Sequence, residues 1–172
     1  MISLQEAKLI AEKQIRLIQF PDNDSLIIID EMIIEKPYAW IFPYTSKKHW
    51  ETGDKQYVIG GNSPLFVSKT TGHISTYRSG LDIEAMFDHY EEENTIWILS
   101  LRIDQHIDIK NLLSLKNIME WTQGELNAFK KDKKLILDMG SARRLAIIQE
   151  RLAMNEIKTD LVLSNKTSGF PR

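Results

Sequence analysis

The chain contains no cysteine, which excludes disulfides, thiolate metal sites and cysteine nucleophiles. It also lacks the run of about 18 apolar residues that a membrane span requires, because the uncharged stretch 38–46 is far too short. Charged residues such as Glu6 and Lys8 interrupt the N-terminal apolar pattern, so the pattern of a secretory signal is absent. These absences predict a soluble cytoplasmic protein with no membrane partner.

The composition is that of an ordinary globular protein. Of the 172 residues, 42% are hydrophobic and 27% are charged. A chain of this size and composition can fold as one domain or two small ones without a disulfide or a structural metal ion. The net charge of −2 does not favour nucleic acid as a partner. Residues up to Glu93 include 15 acids and 9 bases, whereas residues from Asn94 include 9 acids and 13 bases. This change of sign predicts two domains, 1–93 and 94–172.

The first domain is predicted to be a helix followed by short strands. Ser3 and Glu6 form a capping-box pattern, and the helix should run to about Gln19. Alternating aromatics at Tyr38, Trp40, Phe42 and Tyr44 indicate a strand with a buried aromatic face. Apolar runs and turn residues predict the remaining elements: strands at 25–35, 56–59, 65–69 and 73–79, a polar loop at 46–54, and a helix from Ile83.

The second domain is predicted to have the order strand, helix, helix, strand, helix, strand. The predicted elements are an alternating strand from Trp97 to Ile103, helices capped by Asp108 and by Thr122 with Glu125, a strand from Lys134 to Met139, a helix opened by Gly140-Ser141, a strand from Thr159 to Leu163, and a polar tail from Thr167. The whole chain is therefore predicted to be α+β, an antiparallel sheet with flanking helices followed by a small β-α-α-β-α-β unit.

No catalytic residue, metal ligand or cofactor site is predicted. The histidines, His49, His73, His89 and His106, have no metal-ligand spacing, and Ser63 is not part of a nucleophile elbow. Paired carboxylates are plentiful, but no acid and base are singled out. An enzyme acting in a cleft near His73 and Tyr77 is therefore the least favoured reading.

Two segments are candidates for binding a protein partner. The first surrounds Trp50, since tryptophan at a polar edge is often an interface hot spot. The second is an acidic group at the end of the helix that begins at Ile83. The candidate partner-binding residues are Trp50, Glu51, Asp54, Asp88, Glu91, Glu92 and Glu93. A solvated linker is the simpler reading of Glu91–Glu93. The basic run Lys130, Lys131, Lys133 and Lys134 lacks exposed aromatic platforms, so nucleic-acid binding is not predicted.

The segment from Trp50 to Tyr90 resembles the bacterial immunity protein 35 (YrhB-like) family. The resemblance rests on Glu51-Thr52-Gly53-Asp54, Gly60-Gly61-Asn62-Ser63-Pro64, Phe66-Val67 and Lys69-Thr70-Thr71-Gly72, together with the aromatic strand and a helix ending near Tyr90. It covers about residues 1–93 and departs at Gly60, where the family more often has a small apolar residue. The second domain resembles, more weakly, the C-terminal domain of the ribosomal stalk protein, and we carry no ribosomal role across.

The first resemblance implies a non-enzymatic immunity protein of a polymorphic toxin system. Such a protein binds a cognate toxin in the producing or neighbouring bacterium and blocks it, and the acidic first half would suit a basic nuclease-type toxin. The alternative is a chaperone-like or general protein-interaction factor, a role also associated with YrhB-like proteins. The sequence leaves open the toxin, the binding face, the stoichiometry, whether the chain forms a homo-oligomer, and the role of the second domain.

Overall fold

The computed structural model describes residues 1–21, 23–132 and 135–164. The chain divides into two compact units, Met1–Ile83 and Glu84–Arg172. This division lies ten residues before the boundary drawn from the charge distribution, because most of the helix that begins at Ile83 belongs to the second unit. Helices and antiparallel sheets occur in both units, so the predicted α+β class is confirmed. No helix among the described residues is long and apolar enough to cross a membrane.

The first unit combines two antiparallel sheets with two helices. Strands β1 and β4 form a two-stranded sheet, and the second sheet has the order β2-β3-β5-β6. The elements are α1 (Leu4–Arg16), β1 (Leu26–Ile28), β2 (Ile34–Glu35), β3 (Ala39–Phe42), β4 (Tyr44–Ser46), α2 (Lys47–Thr52), β5 (Leu65–Ser68) and β6 (Ile74–Ser75).

The core of the first unit lies between α1 and the central strands of the sheets. The capping box of Ser3 and Glu6 is confirmed and begins α1. Small residues at Ala7 and Ala11 are completely buried, which lets the helix axis approach the strands closely. The residues packed together there are Ala7, Ala11, Ile15, Phe42, Leu65 and Val67, with Trp40 and Tyr44 partly buried against them. The predicted aromatic segment therefore does supply core residues, but it is not one strand, because Phe42 ends β3 and Tyr44 begins β4 in the other sheet.

Several predicted elements of the first unit are wrong in detail. Residues 25–35 are not one strand, because a 3-10 turn at Asp30–Met32 separates β1 from β2. The segment predicted as a loop at 46–54 contains α2, and the strand predicted at 56–59 is replaced by a 3-10 turn at Lys55–Tyr57. Side-chain caps from Ser46 and Asp54 begin α2 and the second 3-10 turn and outweigh the apolar pattern there, whereas the turn at Asp30–Met32 has backbone hydrogen bonds and no side-chain cap. Helix α1 also ends at Arg16 and not near Gln19, and β6 is shorter than predicted.

The second unit has the predicted order of elements. It begins with α3 (Ile83–Glu93) and continues with β7 (Trp97–Leu101), α4 (Ile109–Ile118), α5 (Gln123–Asp132), β8 (Ile136–Gly140), α6 (Ala142–Ala153) and β9 (Thr159–Leu163). Strand β7 lies between β8 and β9, and both pairings are antiparallel. The predicted caps at Asp108 and Thr122 are confirmed. Ile103 lies beyond the end of β7 and is 92% exposed, and the tail from Thr167 lies outside the described residues.

The core of the second unit is formed by the sheet and the helices α4, α5 and α6. Its fully buried members include Leu99 from the central strand, Leu115 from α4, and Leu145 and Leu152 from α6. Trp121 and Phe129 from the region of α5 pack against the same cluster, with their ring centres 5.0 Å apart. Helix α6 contacts β7, β8 and β9, so its position determines how the core closes over the sheet.

Replacing Leu145 with alanine should destabilise the second unit by about 2–5 kcal/mol, because the vacated volume in a close-packed core is only partly refilled. Urea denaturation monitored by circular dichroism measures this loss. Ile147→Ala is the matched control, since Ile147 lies on the same helix but is 55% exposed, and its effect should stay within about 0.5 kcal/mol. Equal losses for the two variants would contradict this description of the core.

Candidate functional site

Helix α2 presents Trp50 on the surface of the first unit. The helix begins where Ser46 Oγ accepts the N–H of His49 at 3.0 Å. The Asp24 carboxylate supports this cap, because it accepts the Ser46 hydroxyl at 2.5 Å and the N–H of Lys48 at 3.1 Å. Burial raises the pKa of Asp24, but these hydrogen bonds outweigh that effect and hold the pKa below its ordinary value. A charged Asp24 therefore anchors the start of α2.

The end of α2 is held equally closely. Gly53 has a φ of +70° and its N–H bonds to His49 O at 2.8 Å, a helix-terminating geometry that glycine adopts without strain. Asp54 then caps the following 3-10 turn by accepting the N–H of Gln56 at 3.0 Å. The His49 ring nitrogen Nδ1 lies 3.0 Å from Asp54 O. The segment 46–57 is thus a short, internally bonded platform.

The three candidate residues of this segment are all exposed. Trp50 is 50% exposed, which is unusual for the largest apolar side chain, and Glu51 and Asp54 are exposed beside it in sequence. Lys47 lies 3.8 Å from Glu51 as a surface ion pair. A half-exposed indole on a constrained helix, followed in the chain by two exposed carboxylates, is suited to entering a cavity on a protein partner. The sequence analysis predicts this segment as a candidate binding surface, but it predicts a loop where the structure has the helix that carries Trp50.

The residues that carry the resemblance mostly shape turns. Asn62 donates its side-chain amide to Tyr44 O at 2.7 Å, and Gly61 and Gly72 have φ values of +82° and +72°. Lys69 is buried, lies 2.6 Å from Glu35 through its Nζ, and stacks 4.2 Å from the centre of the Trp40 ring. These contacts explain the motif as a requirement of the fold and not as a catalytic site.

The acidic candidates of α3 bind the beginning of α6. Glu91 is only 7% exposed, and its Oε2 accepts the N–H of Ala142 at 2.8 Å. Glu92 Oε2 accepts the N–H of Ser141 at 2.8 Å. The first N–H groups of a helix lack partners within the helix and carry partial positive charge, so carboxylates stabilise them strongly. The two carboxylates thus complete the N-terminal cap of α6, together with Ser141 Oγ, which accepts the N–H of Arg144 at 3.3 Å.

Arg144 ties this cap to the edge of the sheet. Its guanidinium lies 2.9 Å from Glu92 Oε1 and also binds the Asp138 carboxylate and the backbone oxygen of Met139. Glycine at position 140 leaves room for this pair, because an added Cβ would lie within 2.5 Å of both Glu92 Oε2 and Arg144 Nη2 and would displace one or both side chains. We call Glu91, Glu92, Asp138, Arg144 and the first N–H groups of α6 the α6 clasp.

The charges of the α6 clasp stabilise one another. Burial raises the pKa of Glu92, but hydrogen bonds from Arg144 and from the Ser141 N–H outweigh it, so the pKa lies below the ordinary value of 4.5. Bonding to Asp138 raises the pKa of Arg144 above its ordinary value, against an opposing effect of burial, with Glu92 adding to the rise. Both groups therefore remain charged at neutral pH.

The two remaining acidic candidates are placed differently. Asp88 lies 3.3 Å from Arg143 in an exposed pair, and Glu93 is exposed at the end of α3. The structure therefore brings Trp50, Glu51 and Asp54 together in the first unit, and Asp88 and Glu91–Glu93 together in the second. Among the described residues, no group of three or more His, Asp or Glu side chains is placed to hold a metal ion.

Replacing Glu92 with glutamine should destabilise the second unit at neutral pH and flatten its pH dependence. Because the folded pKa of Glu92 is depressed, its stabilisation is present above about pH 4.5 and is lost as the pH falls through the folded value. Urea denaturation at about pH 7, 5 and 3 measures this. Glu150→Gln, an exposed change in the last turn of α6, is the control, and its pH dependence should run parallel to that of the unaltered protein. Parallel curves for Glu92→Gln would contradict the stabilising role.

The comparison with protein families agrees with the resemblance noted in the sequence. The model of the family named immunity protein 35 matches residues 5–92, which is slightly more than half of the chain. No curated protein and no solved structure matches significantly. The matched segment contains α2, the strands of the first unit and all but one residue each of α1 and α3. The chain belongs to the immunity protein 35 family.

Proposed function

We propose that this protein binds and neutralises the cognate toxin of a polymorphic toxin system used in bacterial competition. The observation that carries the proposal is the family match over residues 5–92. Neutralisation by binding requires a complementary surface and no catalytic group. We further propose that the protein acts without catalysis, without a cofactor and in the cytoplasm, where its lack of cysteine would make it insensitive to thiol chemistry.

We assign the central toxin contact to Trp50, with Glu51 and Asp54 around it. A buried aromatic anchor supplies much of the affinity of a protein interface, while polar residues around it exclude water. Caps at both ends hold α2 before a partner arrives, which lowers the conformational entropy lost on binding. These properties support α2 as the docking element in preference to the more scattered apolar residues on the rest of the surface.

The acidic residues at the end of α3 divide between a structural role and toxin binding in this proposal. Glu91 and Glu92 already bind α6, so their carboxylates act mainly as scaffold. Asp88 and Glu93 are then the residues of this group that we assign to toxin binding. The excess of six acidic residues over basic ones up to Glu93 would accelerate association with a basic toxin at low ionic strength.

Expression of the product of the neighbouring open reading frame should kill a test bacterium, and co-expression of this protein should restore growth. The same pair should then form a complex of defined stoichiometry in solution. Trp50→Ala should weaken the complex by about 2 kcal/mol, roughly 30-fold, if Trp50 is a hot spot. Isothermal titration calorimetry measures this change, and counts of surviving cells measure protection.

Leu9→Ala is the matched control, because Leu9 is a large apolar residue of the same unit with similar exposure, 58% against 50% for Trp50. It should leave affinity and protection unchanged. Full affinity for Trp50→Ala would move the docking site away from α2 without affecting the immunity function. If the product of the neighbouring open reading frame kills and this protein does not protect, that product is not the cognate toxin. Binding of many unrelated unfolded proteins in its place would favour the chaperone-like alternative.

A further inference from the structure

The outer strands of the sheet in the second unit are β8 and β9, and the backbone groups at their outer edges differ in their hydrogen bonding. In β8, Met139 lies opposite Ile98, and the bond from Ser164 N to Ile96 O shows that the even-numbered residues of this part of β7 face β9, so Met139 points its own backbone groups away from β7. Both groups of Met139 are nevertheless occupied: its N–H bonds to Asp138 Oδ1 at 2.7 Å, and its oxygen accepts Arg144 Nη2 at 2.9 Å. Side chains thus close this edge against another strand.

Between the described residues, the edge formed by β9 has no comparable closure. Bonds from Ser164 N to Ile96 O and from Arg102 N to Lys158 O show that even-numbered residues of this strand face β7. Thr159, Leu161 and Leu163 therefore turn their backbone groups outward. Thr159 O accepts Gln149 Nε2 at 3.1 Å, but within the described part of the chain no other strand pairs with β9. Leu161 and Leu163 thus offer a strand edge.

We propose that two copies of this chain pair through this edge, with their β9 strands antiparallel. A two-fold axis through Val162 would place Leu161 of each copy opposite Leu163 of the other. Each such pair can exchange both of its backbone hydrogen bonds, because both residues face outward. Val162 would then lie directly opposite Val162 of the second copy, at the short spacing of a pair that is not hydrogen-bonded.

The side chains of the strand fit a second copy better than an arbitrary partner. Val162 pairs with Ile98, and Ile98 pairs with Met139, so an apolar row crosses the sheet on the face opposite the helix-covered core. Pairing about Val162 would continue that row from one copy into the other. It would also place Asp160 opposite Ser164, whose hydroxyl can donate to the carboxylate. No like charges would meet between residues 160 and 164.

The contact is small, so the dimer should be weak. Stable interfaces bury about 1,200–2,000 Å² in total, and a five-residue edge buries less than this. We therefore expect a weak association that reverses on dilution. This inference concerns the second unit alone and does not rest on the proposed toxin binding.

Sedimentation equilibrium of the full chain over about 5 to 500 µM tests the proposal. The average mass should rise with concentration from 20.0 kDa toward twice that value. Val162→Lys should remove the rise, since like charges would face each other across the axis. The control Ile136→Lys alters an apolar residue of similar exposure, 51% against 47%, on the closed edge and should preserve the rise.

Mixing the Val162→Lys and Val162→Glu variants should restore dimerisation, because opposite charges would then meet. If the lysine variant fails to fold by circular dichroism, Leu163→Pro takes its place, since it removes an outward N–H without breaking a bond to β7. A constant mass of 20.0 kDa for the unaltered chain would overturn the proposal. Dimerisation that persists in the Val162→Lys variant would also overturn it, and so would loss of dimerisation in the Ile136→Lys control.

Discussion

The second unit depends on the binding of the α3 carboxylates to the N-terminus of α6. Helix α6 contacts each of the three strands and contributes Leu145 and Leu152 to the core, so an error in its position would disturb the whole unit. Its first N–H groups are partnered by Glu91 and Glu92 from a helix about fifty residues earlier. Because those bonds are charge-assisted, they fix the start of α6 more firmly than a serine cap alone.

This interaction explains why three acidic residues end a helix, where the helix dipole opposes them. Two of the three carboxylates face the positive end of another helix, so the local disadvantage on α3 is offset by the bonds to α6. Arg144 then couples the same carboxylate to Asp138 and to the edge of the sheet. A group of like charges that resembles a solvated patch in sequence is therefore largely structural, and the case for a docking surface rests more on Trp50.

The family match and the compact units overlap in α3. The matched segment extends to residue 92, while the second unit begins at Glu84. The last helix of the family segment thus supplies the residues that hold α6. The start of α6, in the region after residue 93, is therefore bound by a helix that lies almost wholly within the family match.

Much of the secondary structure was predictable because its causes are local. The capping boxes at Ser3 and Thr122, the alternation in β7 and the order of elements after Asn94 depend on residues within a few positions of one another. The α2 helix was missed because its start requires Asp24, which lies 22 residues before Ser46. The separation is larger still for the bonds of Glu92 to Ser141 and Arg144, at 49 and 52 residues.

The sequence by itself determined the α+β class, the two-part organisation, the main caps and the family. Only the tertiary structure decided that Glu91 and Glu92 support α6 and that α2 presents Trp50. It also decided that side chains bind the outward backbone groups of β8 at Met139, whereas no strand in the described part of the chain pairs with the outer edge of β9. The physical reason is that spacing along a chain reports on contacts within one helix or hairpin, whereas the partner of a charge or of a strand edge depends on which distant segment folds beside it.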